Sequence, residues 1–539
     1  MHKKNNGSYY TPEFLADFIM AYVSPHFKDY KKLSILEPSV GDGSFIRSFN
    51  KTKFPKSIQH FSFQAVEKIK SELRKAQDQA AINRKRNVRF SFEKNDFLKF
   101  QTITKHKFSL IAGNPPYIKK ALLSKTQIDL CQKINSTVGL SGKSVNNIWT
   151  YFLIRNCQLL DENGVLAFVL PAELLQVNFS VELRKFLVAN FQRTEIFTFD
   201  DLLFECKGQD TVLLIAYKQH QHSGQYYTHI NKVEMLSSND FILSENNALK
   251  ETKTKWTHHS LSSDELTFIH KIGSRLENVN HYCESKPGIV TAANNFFIVN
   301  EQTENEYNLF DFVQPIIQKG FFVNGSVVFG KKEYRQLVIE GKPTKVLCIS
   351  DNEADKLPLS VKKYLKIGEL AKLSTGYKCS KRKNWFVIPN IAEVPDGFFF
   401  RRIHHYPKLL KNEAEVLVTD SAYKIEMREN YNINSLIYSF YNSLSLVFAE
   451  LGGRYYGGGV LELTPSEFKA IPVPYAEISK DDFNMYVKVF ANKKNITDII
   501  SLFDFEILNA SLGLNAEEIR KIQSIYQKLI SKRFRETAK

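Results

Sequence analysis

The stretch Phe108-Ser109-Leu110-Ile111-Ala112-Gly113-Asn114-Pro115-Pro116-Tyr117 decides how the rest of the chain is read. Its first six residues form a short apolar run ending at a glycine, the pattern of a buried strand. The two prolines fix φ and push the residue before each toward extended geometry, so the strand leads into a stiff turn. Open α/β sheets place their chemistry at such turns, beyond the carboxyl ends of the strands. This turn holds together the Asn114 amide, the Pro115 main-chain carbonyl and the Tyr117 ring. Such a set can accept both hydrogens of an –NH₂ group and stack on the flat ring that carries it. The same residues also suit a proline-stiffened loop with a capping asparagine, and their surroundings must separate the two readings.

Those surroundings are strand ends of the same kind. Leu33-Ser34-Ile35-Leu36-Glu37-Pro38-Ser39-Val40-Gly41-Asp42-Gly43 reads as a strand, an acid and a glycine-bearing turn into a helix. Gly41 and Gly43 allow a ligand close to the backbone, but the third glycine of a dinucleotide fingerprint and the lysine of a phosphate loop are missing. An acidic loop repels a pyrophosphate and suits a cationic ligand bearing an amino acid. A second strand, Phe61 to Glu67, ends in an acid placed to grip ribose hydroxyls. A third, Val88 to Phe92, leads to Asn95-Asp96-Phe97. Glu37, Glu67, Asp96 and Asn114 thus form one rim. Before them, Thr11-Pro12-Glu13 reads as an N-cap with proline at the first helical position. The helix that follows runs to about Val23 and turns Phe14, Leu15, Phe18 and Ile19 to one face.

With 539 residues and a 43% hydrophobic content, two or three domains with real cores are expected. A formal net charge of +16 suits a polyanionic partner, nucleic acid first and acidic membrane second. The six cysteines are scattered, with no close pair, which argues against a zinc site or a disulfide framework and fits a reducing cytoplasm. No secretory signal or membrane span is read, and no metal is expected.

The order Tyr10-Thr11-Pro12, Leu36-Glu37-Pro38-x-x-Gly41-x-Gly43, Val66-Glu67-Lys68, Asn95-Asp96-Phe97, Asn114-Pro115-Pro116-Tyr117 resembles the gamma class of DNA adenine-N6 methyltransferases of type II restriction–modification systems. The likeness continues through Asn146–Leu160, the strand Glu162–Pro171 and a last hairpin running from Asp201 to Ile215. It implies a Rossmann-like class I S-adenosylmethionine-dependent α/β sheet over residues 1–220. A linker is expected at 221–250, an α+β target-recognition domain at 251–475 and a helical segment at 476–539. The recognition region is matched by Pro287–Thr291, Phe297–Val299, Arg454–Val460 and Ile471–Pro474. The chain is then a bacterial, cytoplasmic enzyme, expected as a monomer on double-stranded DNA, with a cognate endonuclease as functional partner.

The resemblance also implies roles. Asn114 and Pro115 would orient the target amine of a flipped adenine, with Tyr117 and Phe204 on its two faces. Tyr10, Thr11, Pro12, Glu37, Pro38, Gly41 and Gly43 would line the cofactor, Glu67 its ribose, and Asp96 with Phe97 its adenine. Lys381, Arg382, Trp385, Arg401, Arg402, Arg454 and Tyr455 interleave cations with rings and are the candidate DNA contacts. Two rival readings stand beside this one: a glutamine-N5 protein methyltransferase, which shares the Asn-Pro-Pro-Tyr logic, and a partner-dependent DNA-binding subunit. A faint nuclease pattern at Asp201 and Glu205-Cys206-Lys207 is better explained by the methyltransferase hairpin.

Overall fold

The computed structural model describes residues 10–83, 87–100, 107–141, 147–176, 180–199, 211–245, 256, 261–323, 325–389, 391, 393–456 and 459–534. The chain divides into two compact units, one containing Met1–Ser263 and the other Asp264–Tyr455 with Gly459–Phe534.

The first unit is built on nine strands: β1 (Lys32–Glu37), β2 (His60–Glu67), β3 (Val88–Lys94), β4 (Phe108–Gly113), β5 (Leu160–Pro171), β6 (Arg193–Phe199), β7 (Thr211–Tyr217), β8 (Gly224–Ile230) and β9 (Ser244–Glu245). Their order is β3-β2-β1-β4-β5-β7-β6-β8-β9. The pairs from β3 through β5 are parallel, and β7 enters antiparallel between β5 and β6. All six residues of β4 are buried, as a strand covered on both faces requires. Alternation then assigns the faces. Leu36 and Ile111 join one core with Trp149, Phe152 and Leu166, while Ile35 and Leu110 join the other with Leu15, Ile19 and Val165. Helix α1 (Glu13–Val23) covers the second face, with α2 (Ser44–Lys51) and α3 (Lys70–Ala81), and α4 (Lys125–Ser136) and α5 (Trp149–Leu159) cover the first. Each fully buried Leu or Ile contributes about 1.5–3 kcal/mol, so both layers are firmly tied to the sheet. The result is the doubly wound α/β sheet expected from the sequence.

Two local expectations differ. Pro12, not Thr11, is the N-cap of α1: its carbonyl accepts from Leu15 and Ala16 N–H at 3.1 and 3.2 Å, and no side chain caps the helix. Phe14 is 41% exposed and lies off the buried face, which Ala16 and Met20 complete instead.

Residues 221–250 are not a bare linker. β8 pairs in parallel with β6 over seven positions, and Thr198 bonds the Tyr227 hydroxyl at 2.5 Å and His229 Nδ1 at 2.8 Å.

The second unit is α+β. Cys283–Pro287, Ala422–Met427, Gly397–Phe400, Lys408–Asn412 and Val328–Phe329 form a five-stranded sheet in that order. Ile298–Val299, Lys345–Leu347, Val313–Ile317 and Leu417–Val418 form a four-stranded one. In the strand Phe398-Phe399-Phe400 all three rings are buried, and Phe399 stacks on Phe468 at 4.0 Å between centroids. The helices Lys480–Asn492, Ile496–Leu512 and Ala516–Phe534 belong to this unit rather than to a separate segment. The cationic end of the last helix is partly interior. Arg533 is buried, holds Glu450 Oε1 at 2.8 Å and Oε2 at 3.0 Å, and donates to the carbonyls of His404 and Gly459. Among the described residues no helix is long and apolar enough to cross a membrane.

Candidate active site

Register places the acids of the first unit along one edge. Glu37 ends β1 opposite Ala65 and Glu67 ends β2 opposite Lys94, two residues before Asp96; Gly113 ends β4 opposite Phe168, and Asn114 follows. β1 and β4 are neighbours from which the chain winds in opposite directions, and the crevice beyond such a reversal is where these sheets bind ligands.

Glu37 is only 2% exposed, and its Oε2 has no hydrogen-bond partner among the described residues. Burial, followed by the nearby Asp42 and Glu67 carboxylates, pushes its pKa well above the usual range. Arg47 opposes this shift, but its guanidinium is engaged with Asp42 at 3.0 Å. An oxygen buried in this way is a ready acceptor for a cationic ligand. The loop after it is shaped by glycine. Gly41 has φ of +52°, and its N–H donates to Glu67 Oε2 at 3.0 Å. Gly43 has φ of +88°, and a Cβ there would meet the Ala76 backbone at 3.0 Å. Ile69 N–H holds the other Glu67 oxygen at 2.9 Å. Each oxygen keeps a further lone pair for a ligand hydroxyl.

Tyr10 reaches over this loop, its hydroxyl donating to Glu72 at 2.8 Å, and Thr11 is buried beside it in sequence. Asp96 accepts from Leu98 N–H at 3.2 Å and Gln127 at 3.0 Å, with Lys68 Nζ at 3.2 Å. Phe97 packs against Phe152 with centroids 4.9 Å apart. The donor and acceptor set fits S-adenosylmethionine: a buried carboxylate for its cationic end, a loop lacking side chains, and an oriented acid for its ribose.

The Asn-Pro-Pro-Tyr turn is pinned from two sides. The Ser39 hydroxyl donates to the Asn114 carbonyl at 3.1 Å, which ties the turn to the β1 loop. The Tyr117 hydroxyl donates to the Val169 carbonyl at 3.0 Å, which ties it to β5, and burial raises the pKa of that hydroxyl well above its usual value. Gly113 packs close to the β1 loop: a Cβ there would lie 3.3 Å from Pro38 Cδ. The Pro115 carbonyl and Asn114 side chain are thus carried on a fixed turn. Phe204, with Asp201, Glu205, Cys206 and Lys207, lies outside the described residues. Ser39 and Arg47 were not singled out from the sequence, and only the three-dimensional pairing reveals them.

The candidate DNA contacts of the second unit are not brought into one cluster. Arg401 and Arg402 converge on Glu462, at 3.6 and 3.4 Å, and Arg402 is 69% exposed at its side chain. Lys381 is exposed, with Nζ 5.9 Å from the Tyr377 ring. The others are engaged within the fold. Arg382 donates to the carbonyls of Thr291, Val290 and Trp385. Trp385 packs over Gly368 so closely that a Cβ there would lie 2.3 Å from its ring. Arg454 pairs with Glu467 at 3.2 Å, and the Tyr455 hydroxyl donates to the Glu450 carbonyl at 3.1 Å.

Two family models divide the chain in the same way. The Eco57I restriction-modification methylase matches residues 30–204, and the C-terminal domain of type II methyltransferase M.Eco57I matches residues 253–508. Type II methyltransferase M.AccI of Acinetobacter calcoaceticus is 21% identical over 534 residues, covering 93% of each chain. Type II methyltransferase M.BstVI of Geobacillus stearothermophilus is 24% identical over 347 residues, covering 55% of this chain and 60% of that one. Among solved structures, the type IIL restriction-modification enzyme MmeI in complex with DNA shares the fold. Its TM-score is 0.57 at 11% identity, covering 96% of this chain and 75% of that one. With its gamma-class motif order, its doubly wound sheet and both halves matched, the chain belongs to the type II restriction–modification methyltransferases.

Proposed function

We propose that the chain transfers a methyl group from S-adenosylmethionine to the N6 amine of adenine in double-stranded DNA, at a specific sequence. The observation that carries this reading is the single edge shared by Glu37, Glu67, Asp96 and the pinned turn at Asn114. Bound there, S-adenosylmethionine supplies an electrophilic sulfonium methyl.

The chain's own part is orientation. The lone pair of an exocyclic adenine amine is delocalised into the ring. Hydrogen bonds from its two N–H groups to the Asn114 amide oxygen and the Pro115 carbonyl turn that lone pair toward the methyl. This is positioning and electrostatics on a turn anchored by Ser39 and by the Tyr117 hydroxyl, with no covalent enzyme intermediate. The amine is unreachable inside a duplex, so the base is flipped out. Tyr117 stacks on one face of it and, by resemblance, Phe204 on the other. Glu37 receives the ammonium of the methionine end, Glu67 the ribose hydroxyls, and Asp96 with Phe97 the cofactor adenine. The second unit, with Lys381 and Arg402 among its exposed cations, holds the DNA. Methylation then protects the host's own sites from a cognate endonuclease.

Asn114→Ala tests this directly. Its single-turnover rate is expected to fall about 10²- to 10³-fold, as for loss of an oriented transition-state hydrogen bond, while cofactor and DNA affinity stay within about threefold. A variant keeping more than about a tenth of the wild-type rate overturns the role.

A further inference from the structure

The loop that follows the strand Cys283–Pro287 in the second unit is held far more tightly than a surface connection requires. Gly288 passes so close to the next segment that a Cβ would lie 2.4 Å from the carbonyl oxygens of Val418 and Thr419. Ile289 N–H donates to the Val418 carbonyl at 2.8 Å, and its own carbonyl accepts from Asp420 at 3.1 Å. Beyond that point Arg382, about ninety residues downstream, takes over. Its guanidinium donates to the Thr291 carbonyl at 2.9 Å, the Val290 carbonyl at 3.4 Å and the Trp385 carbonyl at 3.2 Å, and lies 5.4 Å over the Phe297 ring. Thr291 is 1% exposed; its hydroxyl donates to the Asn294 side chain and accepts from Ala293 N–H at 3.2 Å.

Two features point outward. Ala292 is exposed with φ of +74°, a left-handed conformation that an L-residue adopts only under constraint. Such strain persists only where the surrounding structure holds it, here through the Arg382 and Thr291 bonds. Asn295 is exposed, and no hydrogen bond holds its side chain among the described residues. Loop residues Val290–Phe296 form one wall of a cleft of about 670 Å³, whose other lining residues are Ala371, Leu373, Lys378 and Asp420. From Leu370 to Ala392 the sequence contains Lys372, Lys378, Lys381, Arg382 and Lys383 and no acid. All but Arg382 of these cations are exposed, and Tyr377 between them is 81% exposed.

We propose that this cleft reads a base edge of the target sequence, resting on the DNA-methyltransferase reading above. Asn295 presents an amide whose donor and acceptor match N7 and N6 of an adenine in the major groove. Lys378 and Lys381 hold the flanking phosphates, which fix register without reading sequence. Arg382 is a positioning residue: it sets the loop through three carbonyls and touches no DNA.

The test is sequencing of modified bases in DNA from cells expressing the full chain, wild type, Asn295→Ala or Arg382→Lys. Wild type is expected to give one defined motif. Asn295→Ala becomes degenerate at one A·T position, methylation of sites differing only there rising about ten- to hundredfold relative to the motif. Arg382→Lys keeps the charge but loses the planar fork, and relaxes the same position. A purely structural role for Arg382 would instead lower methylation at all sites alike, leaving the motif intact, and that overturns its assignment. A motif unchanged in Asn295→Ala overturns the inference alone. A wild-type chain that leaves no methylated base overturns the underlying reading and this inference with it.

Discussion

At the scale of single residues, the buried Glu37 carboxyl sets how the site answers to pH. Burial, then Asp42 and Glu67, hold its proton more tightly than water would. A folded pKa raised above the unfolded one means that its contribution to stability is present below the ordinary carboxyl range and lost as pH rises toward the raised value. Binding a cation against Glu37 favours the ionised form, so binding releases the proton. Affinity for S-adenosylmethionine is therefore expected to rise with pH, by up to about tenfold per unit, and to level off above Glu37's raised value. Titration calorimetry across pH checks this, with Glu37→Gln expected to flatten the profile; an equal slope in that variant contradicts the assignment. Glu37 and Asn114 were legible in the sequence because proline and glycine mark the strand ends they sit on, and Glu67 and Asp96 only because each is an acid closing a short alternating apolar stretch. Ser39 was not, because its bond to the Asn114 carbonyl spans 75 positions with no spacing rule. The carbonyl partners of Arg382 were hidden for the same reason: a cation beside Trp385 reads as a surface contact until they are seen.

At the scale of elements, two junctions bear most strain under substitution. Gly43→Ala adds a Cβ 3.0 Å from the Ala76 backbone at a φ of +88°, where α2 begins against α3. The left-handed conformation alone costs about 1–2 kcal/mol, and urea unfolding is expected to show at least that loss together with weaker cofactor binding. Arg533→Ala removes the one cation that pairs with Glu450 among the described residues, both partners being almost fully buried. Leaving that carboxylate unpaired is expected to cost about 3–5 kcal/mol, again read by urea unfolding. An effect below about 1 kcal/mol would show that the helix Ala516–Phe534 does not depend on this pair. The sequence hides this pairing because Glu450 lies 83 positions upstream. β8 was missed on other grounds. Gly224-Gln225-Tyr226-Tyr227-Thr228-His229-Ile230 shows no hydrophobic alternation, and the bonds of Tyr227 and His229 to Thr198 span 29 and 31 positions.

At the scale of the whole molecule, the two units are expected to divide the work: cofactor and chemistry in the first, sequence readout in the second. Lys381→Ala should weaken all DNA sequences about equally and lower the log–log salt slope by about one, whereas Asn295→Ala should change preference and leave that slope alone. Equal salt slopes for Lys381→Ala and wild type would place the DNA path elsewhere. The fold class and the order of the motifs were readable because those at Glu37, Glu67, Asp96 and Asn114 each lie at the end of a strand of one sheet. The candidate DNA contacts were readable only as composition, since their cations are sorted into carbonyl clamps, ion pairs and exposed charges by the folded chain. The central claim is tested most directly by incubating the purified full chain, without any partner, with unmethylated duplex DNA and S-adenosylmethionine labelled in its methyl group. The DNA is then digested to nucleosides. The account predicts that the label elutes as N6-methyl-2′-deoxyadenosine. Label in a methylated cytosine, in protein glutamine, or in no product would contradict it.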